Sequence, residues 1–509
     1  MEKVYYLGLD NGGSVTKAAL FDNLGNEVAV ARKIAETLND TPGGWVERDS
    51  EDFFQANVWC IRECVAKSGV KPEQIRAVSV TGHGNGLYLV GHDGRPSYNG
   101  IISTDTRAAE LVRVWCENGT ASRILPSTNQ ALWAGQLGPL LAWFAQNKPE
   151  VLAGTKHAFS CTDYIRFRLT GEAFGESSNM SSASIMSQKC AQYDDAVLEQ
   201  LGIGEYRALL PPLCRSHDIC GTVRPDTGAL CGLRPGTPVA GGMVDFAAGP
   251  VACGITTPDL LSTLAGTWTI NSYLCPTPIA DESLFMTSLF PQDGTYQIME
   301  GSMTSASNLE WFVQNMMTHD AVVMKQLKKS VYGVCDEIID LIRPEDSDLI
   351  FLPFLYGTNV NADARAGFMG LSYRHSRSHM IRAIFEGVVF SCAQHVENLL
   401  RIRKSPFAGA RIAGGPANSR QWTQIFADVL ELPMEVSQAQ EIGAMGAAIA
   451  SAVAVGDFAG YAQAAEVFTK IRAVMEPDAA RGEIYRRKYK IYRETLQAMD
   501  SVWYNWRQN

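Results

Sequence analysis

The sequence predicts an α/β protein of two domains, and three observations lead to that class. The chain has 509 residues, which exceeds what one hydrophobic core usually serves. Short apolar strands are followed by amphipathic helices along most of its length. Strands that end in a glycine-bearing loop occur in both halves, at residues 12–13, 266 and 414–415. We place the two domains at residues 1–248 and 249–509, and we expect the substrates to bind in the cleft between them.

The first elements form a β-meander. Residues 4–9 are an apolar run, residues 18–21 continue as a second strand after a Gly-Gly turn, and residues 27–31 make a third strand. Lys17 therefore leads into a strand, whereas the lysine of a Walker loop leads into a helix. The pattern excludes a Walker-type phosphate loop.

The turn between the first two strands carries groups suited to phosphate oxygens, namely backbone amides, hydroxyls and an ammonium. We predict that it binds the phosphates of ATP through Gly12, Gly13, Ser14, Thr16 and Lys17. The alternative is an ordinary hairpin with a polar face.

Apolar periodicity places the later elements. Phe53, Val58, Ile61 and Val65 recur at helical spacing and predict a helix over residues 50–68. The same reasoning predicts strands at 75–81, 260–264, 349–354 and 411–413 and helices at 379–400 and 421–430. A Gly- and Ala-rich stretch at 444–455 predicts a buried helix that packs closely against its neighbours.

Asp245 is the candidate catalytic base. It lies among small and apolar residues in the segment 241–249. Desolvation disfavours the charged form of a carboxylate, so the pKa of Asp245 should rise toward a range useful for base catalysis. A plain turn is the alternative for a glycine-rich loop with one aspartate. A base between two phosphate-binding loops is the outline of a small-molecule kinase.

Two loops in the second half are candidates for binding ATP. Gly266 and Thr267 follow a strand and combine a closely approachable backbone with a hydroxyl. Gly414 and Gly415 leave a strand end without side-chain bulk, where an adenine ring can lie, and Asn418 can bond to it. An ordinary loop and a simple βα turn are the alternatives.

Polar residues after two strands of the first half are candidates for binding a sugar. Recognition of a polyol needs several hydrogen-bonding groups that converge on neighbouring hydroxyls. The alternative for a histidine on such a loop is simple solvation. We predict that the sugar contacts His83, Asn85, Asp105 and Asp245.

Composition narrows the partners and the compartment. The net charge of -10 argues against a broad nucleic-acid surface. Neither a signal peptide nor an apolar run of about 20 residues is evident, so we expect no membrane partner. The 12 cysteines lack paired motifs, which favours reduced thiols and a cytoplasmic protein. Cys214, His217 and Cys220 match no common zinc spacing, so we predict no metal there.

The order of these motifs resembles the FGGY family of carbohydrate kinases from end to end. The segments that carry the resemblance are residues 8–17, 44–49, 241–245, 366–371, 379, 383–386, 414–416 and 441–448. The resemblance implies two actin-like (ribonuclease H-like) domains, each a five-stranded mixed sheet flanked by helices, that use ATP and Mg²⁺. It implies that Asp245 takes the proton from a sugar hydroxyl and that Asp10 and Asp245 hold Mg²⁺. Ser307 stands where many members of the family have a glycine in the nucleotide site.

The chain departs from the family at several positions, which leave the sugar open but not the chemistry. The segment 82–87 matches neither the glycerol kinases nor the D-xylulokinases, and Pro416 and Asn418 replace a glycine and an arginine of the adenosine loop. The chain is nearest in appearance to the L-xylulokinase branch, so we expect ATP-dependent phosphorylation of a terminal hydroxyl of a ketopentose such as L-xylulose. Alternatives are a kinase for glycerol, erythritol or D-xylulose, and a non-catalytic nucleotide or sugar sensor. A homodimer is one alternative for its assembly.

Overall fold

The computed structural model describes residues 3–38, 44–266, 268–302, 305–355, 357–358, 361 and 363–507. The chain divides into two compact units. Unit 1 consists of residues 1–256, 274–298 and 439–470, and unit 2 of residues 257–273, 299–438 and 471–509. Each unit therefore combines segments that are distant in the sequence.

A seven-stranded mixed sheet forms the centre of unit 1. The strands of the unit are β1 (Tyr5–Asn11), β2 (Val15–Asp22), β3 (Glu27–Ile34), β4 (Glu47–Arg48), β5 (Ile75–Gly82), β6 (Tyr88–Gly91), β7 (Gly100–Ile101), β8 (Thr155–Phe159), β9 (Gly175–Glu176), β10 (Met186–Ser187), β11 (Gln192–Tyr193), β12 (Leu213–Cys214), β13 (Ile219–Thr222), β14 (Pro238–Ala240), β15 (Met243–Val244) and, later in the chain, β18 (Met286–Leu289). The sheet has the order β13-β14-β5-β1-β2-β3, and β15 also pairs with β5. β1 is antiparallel to β2 and parallel to β5, so the predicted meander and the α/β class are confirmed.

The helices of unit 1 pack either on this sheet or in a second hydrophobic core beside it. They are α1 (Ser50–Ser68), α2 (Ala109–Glu117), α3 (Thr120–Thr128), α4 (Leu137–Asn147), α5 (Pro149–Ala153), α6 (Cys161–Thr170), α7 (Ser177–Ser181), α8 (Asp195–Gln200), α9 (Pro225–Cys231), α10 (Asp245–Ala252), α16 (Ile442–Ala454) and α17 (Tyr461–Phe468), with 3₁₀ turns at Pro72–Gln74 and Gly204–Leu209. α1 begins after Asp49, whose carboxylate accepts a hydrogen bond from the Asp52 amide, and it ends at Gly69 with a φ of 64°. Both signals are local, and the predicted bounds of this helix are confirmed.

The small residues of α16 allow it to touch its neighbours backbone to backbone. A Cβ added to Gly8 of β1 would lie 1.8 Å from the carbonyl oxygen of Ala444. A Cβ added to Gly446 would lie 2.3 Å from the carbonyl oxygen of Ala248 in α10. The predicted close-packed helix is thus confirmed, and it brings residues near 442 beside the end of β1.

Unit 2 is also built on a mixed sheet. Its strands are β16 (Leu260–Ala265), β17 (Thr269–Cys275), β19 (Tyr296–Ser302), β20 (Ile350–Leu352), β21 (Gly367–Met369), β22 (Gly409–Gly414), β23 (Met434–Ser437) and β24 (Ile471–Met475). Within it β16 is antiparallel to β17 and parallel to β22, which is parallel to β23. Its helices are α11 (Ser307–Met316), α12 (Thr318–Gln326), α13 (Val331–Asp340), α14 (Arg377–Arg403), α15 (Arg420–Leu430) and α18 (Ala479–Arg507), with 3₁₀ turns at Pro344–Asp346 and Pro416–Asn418.

The structure differs from the expected elements in the width of the sheets and in the length of one strand, and each of the two large sheets has seven strands where five were expected. The sheet of unit 1 is wider than five strands, because the short strands β13 and β15 add to it without an apolar run long enough to predict them. The strand expected at 349–354 is shorter, because Pro353 follows its last residue and has no amide to donate. Among the described helices, none is long and apolar enough to cross a membrane.

Candidate active site

Three parallel strand ends meet at one edge of the unit 1 sheet. In the register of the sheet, Asn11 of β1 and Val244 of β15 both lie opposite Gly82 of β5. The residues at or just beyond these ends are Asp10, His83 and Asp245. The fold thus brings together residues that are more than 230 positions apart in the sequence.

Asp245 is the first residue of α10, directly after β15. The Phe246 amide donates a hydrogen bond of 2.8 Å to its carboxylate. Burial, and then the charge of Asp10, raise the pKa of Asp245 to about 7. At neutral pH this carboxyl group can both hold and release a proton, which is the property a general base needs.

Asp10 lies in a group of charged side chains at the end of β1. The Lys17 ammonium is 3.9 Å from the Asp10 carboxylate and 3.0 Å from that of Glu441, which also pairs with Arg32. Burial raises the pKa of Asp10 to about 6, with Lys17 opposing and Glu441 adding to the shift. A Cβ at Gly443 would lie 2.6 Å from an Asp10 oxygen, so any larger residue at position 443 would collide with this carboxylate.

The turn between β1 and β2 presents some of the predicted phosphate ligands and not others. Gly13 and Ser14 are exposed, whereas Thr16 is fully buried. The Thr16 hydroxyl donates to the Asn11 side chain at 3.1 Å, and the Gly12 amide donates to Val15 within the turn at 3.0 Å. The groups open to a ligand here are therefore those at the tip of the turn.

The two predicted sugar residues after β5 are buried. Nε2 of His83 is 3.2 Å from the Tyr88 hydroxyl. Burial, and then the nearby charge of Arg48, lower the pKa of His83 to about 3, so its ring is neutral. Asn85 is 3% exposed, has a φ of 64°, and its Oδ1 has no hydrogen-bond partner in the described parts of the chain. A strained backbone and an unpartnered buried acceptor are typical of a residue in a ligand-binding site.

Asp105 has a structural role in unit 1. Its carboxylate accepts hydrogen bonds from the Val46 amide at 2.6 Å and from the Arg107 side chain at 2.9 and 3.0 Å. Arg107 continues to Glu47 at 2.8 Å and lies over the ring of Trp45. These bonds explain why the carboxylate of Asp105 and the guanidinium of Arg107 are buried together after β7. Sugar binding by Asp105 stays a prediction.

Arg48 is a residue of this site that the sequence reasoning missed. It is 1% exposed, and Nη2 donates to the Gly13 carbonyl oxygen at 2.5 Å. Its Nε and Nη1 have no partner among the described residues. The guanidinium lies 4.6 Å from the centre of the Phe53 ring. Arg48 thus connects the turn at Gly13 to the end of β5, where burial, and to a lesser extent the charge of Arg48, keep His83 neutral.

Unit 2 holds a cavity of about 560 Å³ beside the end of β22. Gly415 and Asn418 line it, and Phe385 and Trp422 stack at a ring distance of 4.1 Å on one wall. Tyr332 adds a further ring. An aromatic cavity of this size next to glycine backbone fits an adenine ring.

The other predicted nucleotide residues of unit 2 lie close to this cavity. A Cβ at Gly414, where φ is 100°, would lie 3.3 Å from the Gly266 nitrogen, and the Ala306 amide donates to the Gly266 carbonyl oxygen at 3.3 Å. Ser307 follows as the first residue of α11 and is buried. Thr267 lies outside the described residues.

Comparison with known proteins identifies the class. The N-terminal domain of the FGGY family of carbohydrate kinases matches residues 5–252, and the C-terminal domain of that family matches residues 261–455. The chain belongs to this family and is a carbohydrate kinase, so a sugar and ATP are its substrates. The predicted family and enzyme class are confirmed.

Two curated relatives match nearly end to end. The L-xylulose/3-keto-L-gulonate kinase of Escherichia coli (strain K12) is 35% identical over 496 residues, which cover 97% of each chain. The probable L-xylulose kinase of Pasteurella multocida (strain Pm70) is 32% identical over 501 residues, 98% of this chain and 99% of the relative.

Solved structures show the same fold. Xylulose kinase from Lactobacillus acidophilus superposes with a TM-score of 0.89 at 21% identity, covering 99% of each chain. Gluconate kinase from the same organism gives 0.88 at 21% identity, covering 99% of this chain and 100% of the other. The predicted fold of two actin-like domains with mixed sheets and flanking helices is confirmed.

Proposed function

We propose that this kinase transfers the γ-phosphate of ATP to a terminal hydroxyl of a ketopentose, with L-xylulose as the first candidate. The observation that carries the assignment of the site is the pair Asp10 and Asp245 at one sheet edge, with the pKa of Asp245 raised to about 7. We assign the base and the sugar to residues 1–248 and adenosine to residues 249–509.

Asp245 acts as the general base in this proposal. It takes the proton of the sugar hydroxyl as that oxygen forms its bond to the γ-phosphorus and the bond to the leaving oxygen of ADP breaks. The exposed tip of the turn at Gly13 and Ser14, together with Lys17, offers amides, a hydroxyl and a cation to the phosphate oxygens. Catalysis then depends on positioning and on charge neutralisation.

Asp10 and Asp245 fit a divalent cation such as Mg²⁺. Both carboxylates are desolvated, and the charge of Asp10 raises the pKa of Asp245, a repulsion that a cation would relieve. In the described parts of the chain no three His, Cys, Asp or Glu side chains form a metal cage, and Mg²⁺ characteristically keeps several waters. Bound with ATP, the ion would neutralise phosphate charge.

The relatives support the choice of sugar. Proteins named for L-xylulose are 35% and 32% identical over nearly the whole chain, whereas an erythritol kinase of Brucella abortus (strain 2308) is 29% identical. An ATP-consumption screen across pentuloses, hexuloses, aldoses, sugar acids and polyols tests the assignment. A clear preference for glycerol or erythritol would overturn the ketopentose and leave the kinase chemistry standing.

Removal of the Asn85 side chain should weaken sugar binding. Loss of one buried hydrogen-bonding partner costs about 1–3 kcal/mol, while binding of ATP should be unchanged. Asn85→Gly is the informative variant, because glycine adopts the φ of 64° without the strain that alanine would add. Calorimetric titration with the sugar and with an ATP analogue measures both affinities. Equal weakening of the two ligands would contradict a sugar-specific role.

Filling the cavity of unit 2 should weaken ATP binding. Gly415→Leu places a branched side chain where we place adenosine and should raise KM for ATP by about tenfold or more, the equivalent of about 1.4 kcal/mol. Gly415→Ala is the matched control, because its Cβ would lie 3.6 Å from that of Ala306, an ordinary contact. An unchanged KM for ATP in the leucine variant would place adenosine elsewhere.

A further inference from the structure

A buried carboxylate lies behind the loop that carries Asp245. Glu176 is fully buried at the end of β9 and accepts five hydrogen bonds. Two come from the Ser178 amide at 3.0 Å and the Ser178 hydroxyl at 2.6 Å, two from the Asn179 amide and side chain at 3.0 and 3.1 Å, and one from the Ser216 hydroxyl at 2.7 Å. So many donors fix the position of each group that bonds to this carboxylate.

Two of the residues that donate to Glu176 also bond to the loop that carries Asp245. The Ser178 hydroxyl, which donates to Glu176, also accepts a hydrogen bond of 3.2 Å from the Val244 amide. The carbonyl oxygen of Ser216 accepts a hydrogen bond of 3.0 Å from the Gly242 amide. The residue before Asp245 is therefore held by a side-chain hydroxyl whose own orientation is set by a carboxylate.

A second buried ion holds the start of the same loop. Arg166 is fully buried, donates to the Gly241 carbonyl oxygen, and pairs with Asp163 at 2.8 Å. Asp163 in turn accepts a hydrogen bond of 2.9 Å from the Glu176 amide. The loop from 241 to 245 is thus bounded by a cation at its beginning and by the Glu176–Ser178 pair at its end.

We propose that Glu176 and Ser178 are positioning residues that fix the direction of Asp245 through the Val244 amide. The inference rests on the proposed role of Asp245 as the base. The Ser178 hydroxyl is the group that satisfies the buried amide of Val244, and loss of that bond leaves the peptide before Asp245 free to turn. A carboxylate displaced by about 1 Å no longer meets the sugar hydroxyl at the distance proton transfer requires.

Ser178→Ala tests the proposal, with Ser182→Ala as its matched control. Both serines are fully buried close together in the chain, but the Ser182 hydroxyl donates to the Asn179 carbonyl oxygen at 2.7 Å and reaches no residue of the loop 241–245. Ser178→Ala should lower kcat about tenfold or more, with KM for sugar and for ATP within about twofold of wild type. Ser182→Ala should keep kcat. Equal kcat in the two variants would overturn the proposal.

Ser178→Cys keeps the test valid where the alanine variant folds poorly. A thiol keeps a polar side chain at this position, slightly larger than the hydroxyl, but it is a weak donor and a weak acceptor. We expect it to melt close to wild type and still lose kcat several-fold. A Ser178→Cys enzyme with wild-type kcat would overturn the proposal as well.

The double variant Ser178→Ala/Asp245→Asn separates this inference from the proposed function. Once Asp245 no longer accepts a proton, its direction no longer matters, so Ser178→Ala should change kcat by less than about twofold in that background. A full tenfold loss there means that Ser178 acts elsewhere, and the inference fails. High turnover of Asp245→Asn alone means instead that the role of Asp245 as base is wrong.

Discussion

Asp245→Asn is expected to lower kcat by about 10²–10⁴, the usual contribution of a general base. Asparagine is nearly isosteric with aspartate and can still accept the hydrogen bond from the Phe246 amide, but it cannot take the proton of the sugar hydroxyl. The loss should appear in kcat with saturating sugar and ATP. Binding of the adenosine part of ATP should change little, because the residues we assign to adenosine lie in unit 2.

The control for this variant is Asp226→Asn. Asp226 is an exposed aspartate of unit 1 that pairs with Arg224 at the surface, and its replacement should leave kcat unchanged. A thermal melt establishes that each variant is folded. A folded Asp245→Asn enzyme that keeps more than about a tenth of wild-type turnover would contradict the role of Asp245 as base.

The pH dependence of kcat/KM should also report the role of Asp245 as base. The base works deprotonated, so wild-type kcat/KM should rise with pH and level off above a pH near the pKa of about 7.

The raised pKa of Asp245 should also affect stability. Its ordinary value is 3.8, so between pH 3.8 and about pH 7 the folded protein holds a proton that the unfolded chain has lost. This contribution to stability is present at low pH and is lost as pH rises toward 7. Asp245→Asn lacks this titrating group. As pH rises from 5 to 8, its melting temperature should therefore increase relative to that of wild type.

Local signals explain how much of the fold was predictable. The bounds of α1 are set by the Asp49 cap and Gly69, and Pro353 ends β20, all within a few residues of the element. The short strands β13 and β15 have no such signal. They exist because β14 and β5 offer them hydrogen-bonding edges, which depends on tertiary structure.

The candidate site was predictable where chemistry and sequence context coincide. Asp245 stands out because its neighbours are small and apolar, and burial indeed raises its pKa. Arg48 and Glu441 lie in the segments 44–49 and 441–448 that carry the family resemblance, and Glu176 does not, but no local pattern shows which distant group each of these charges meets. Glu441 reaches Lys17 only because α16 packs on β1 through glycine and alanine.

The largest loss of stability is expected from Glu386→Ala in unit 2. Glu386 lies buried in α14, where it pairs with Arg382 at 2.9 Å and with Lys488 of α18. Arg382 also donates to the hydroxyl of Tyr485 at 2.9 Å, so the group joins two helices. Alanine would leave two buried cations without their carboxylate, which costs about 3–5 kcal/mol.

Glu397→Ala on the same helix is the matched control for this effect. Glu397 pairs with Arg493 of α18 at 3.3 Å, and both side chains are about half exposed, so water and salt screen the pair. Its loss should cost only about 0–1 kcal/mol. Urea denaturation of both variants, with fluorescence as the probe, measures the two free energies of unfolding. Because the helices and the charge removed are the same, a Glu386→Ala value within about 1 kcal/mol of the control would mean that the buried group contributes no more than a surface pair.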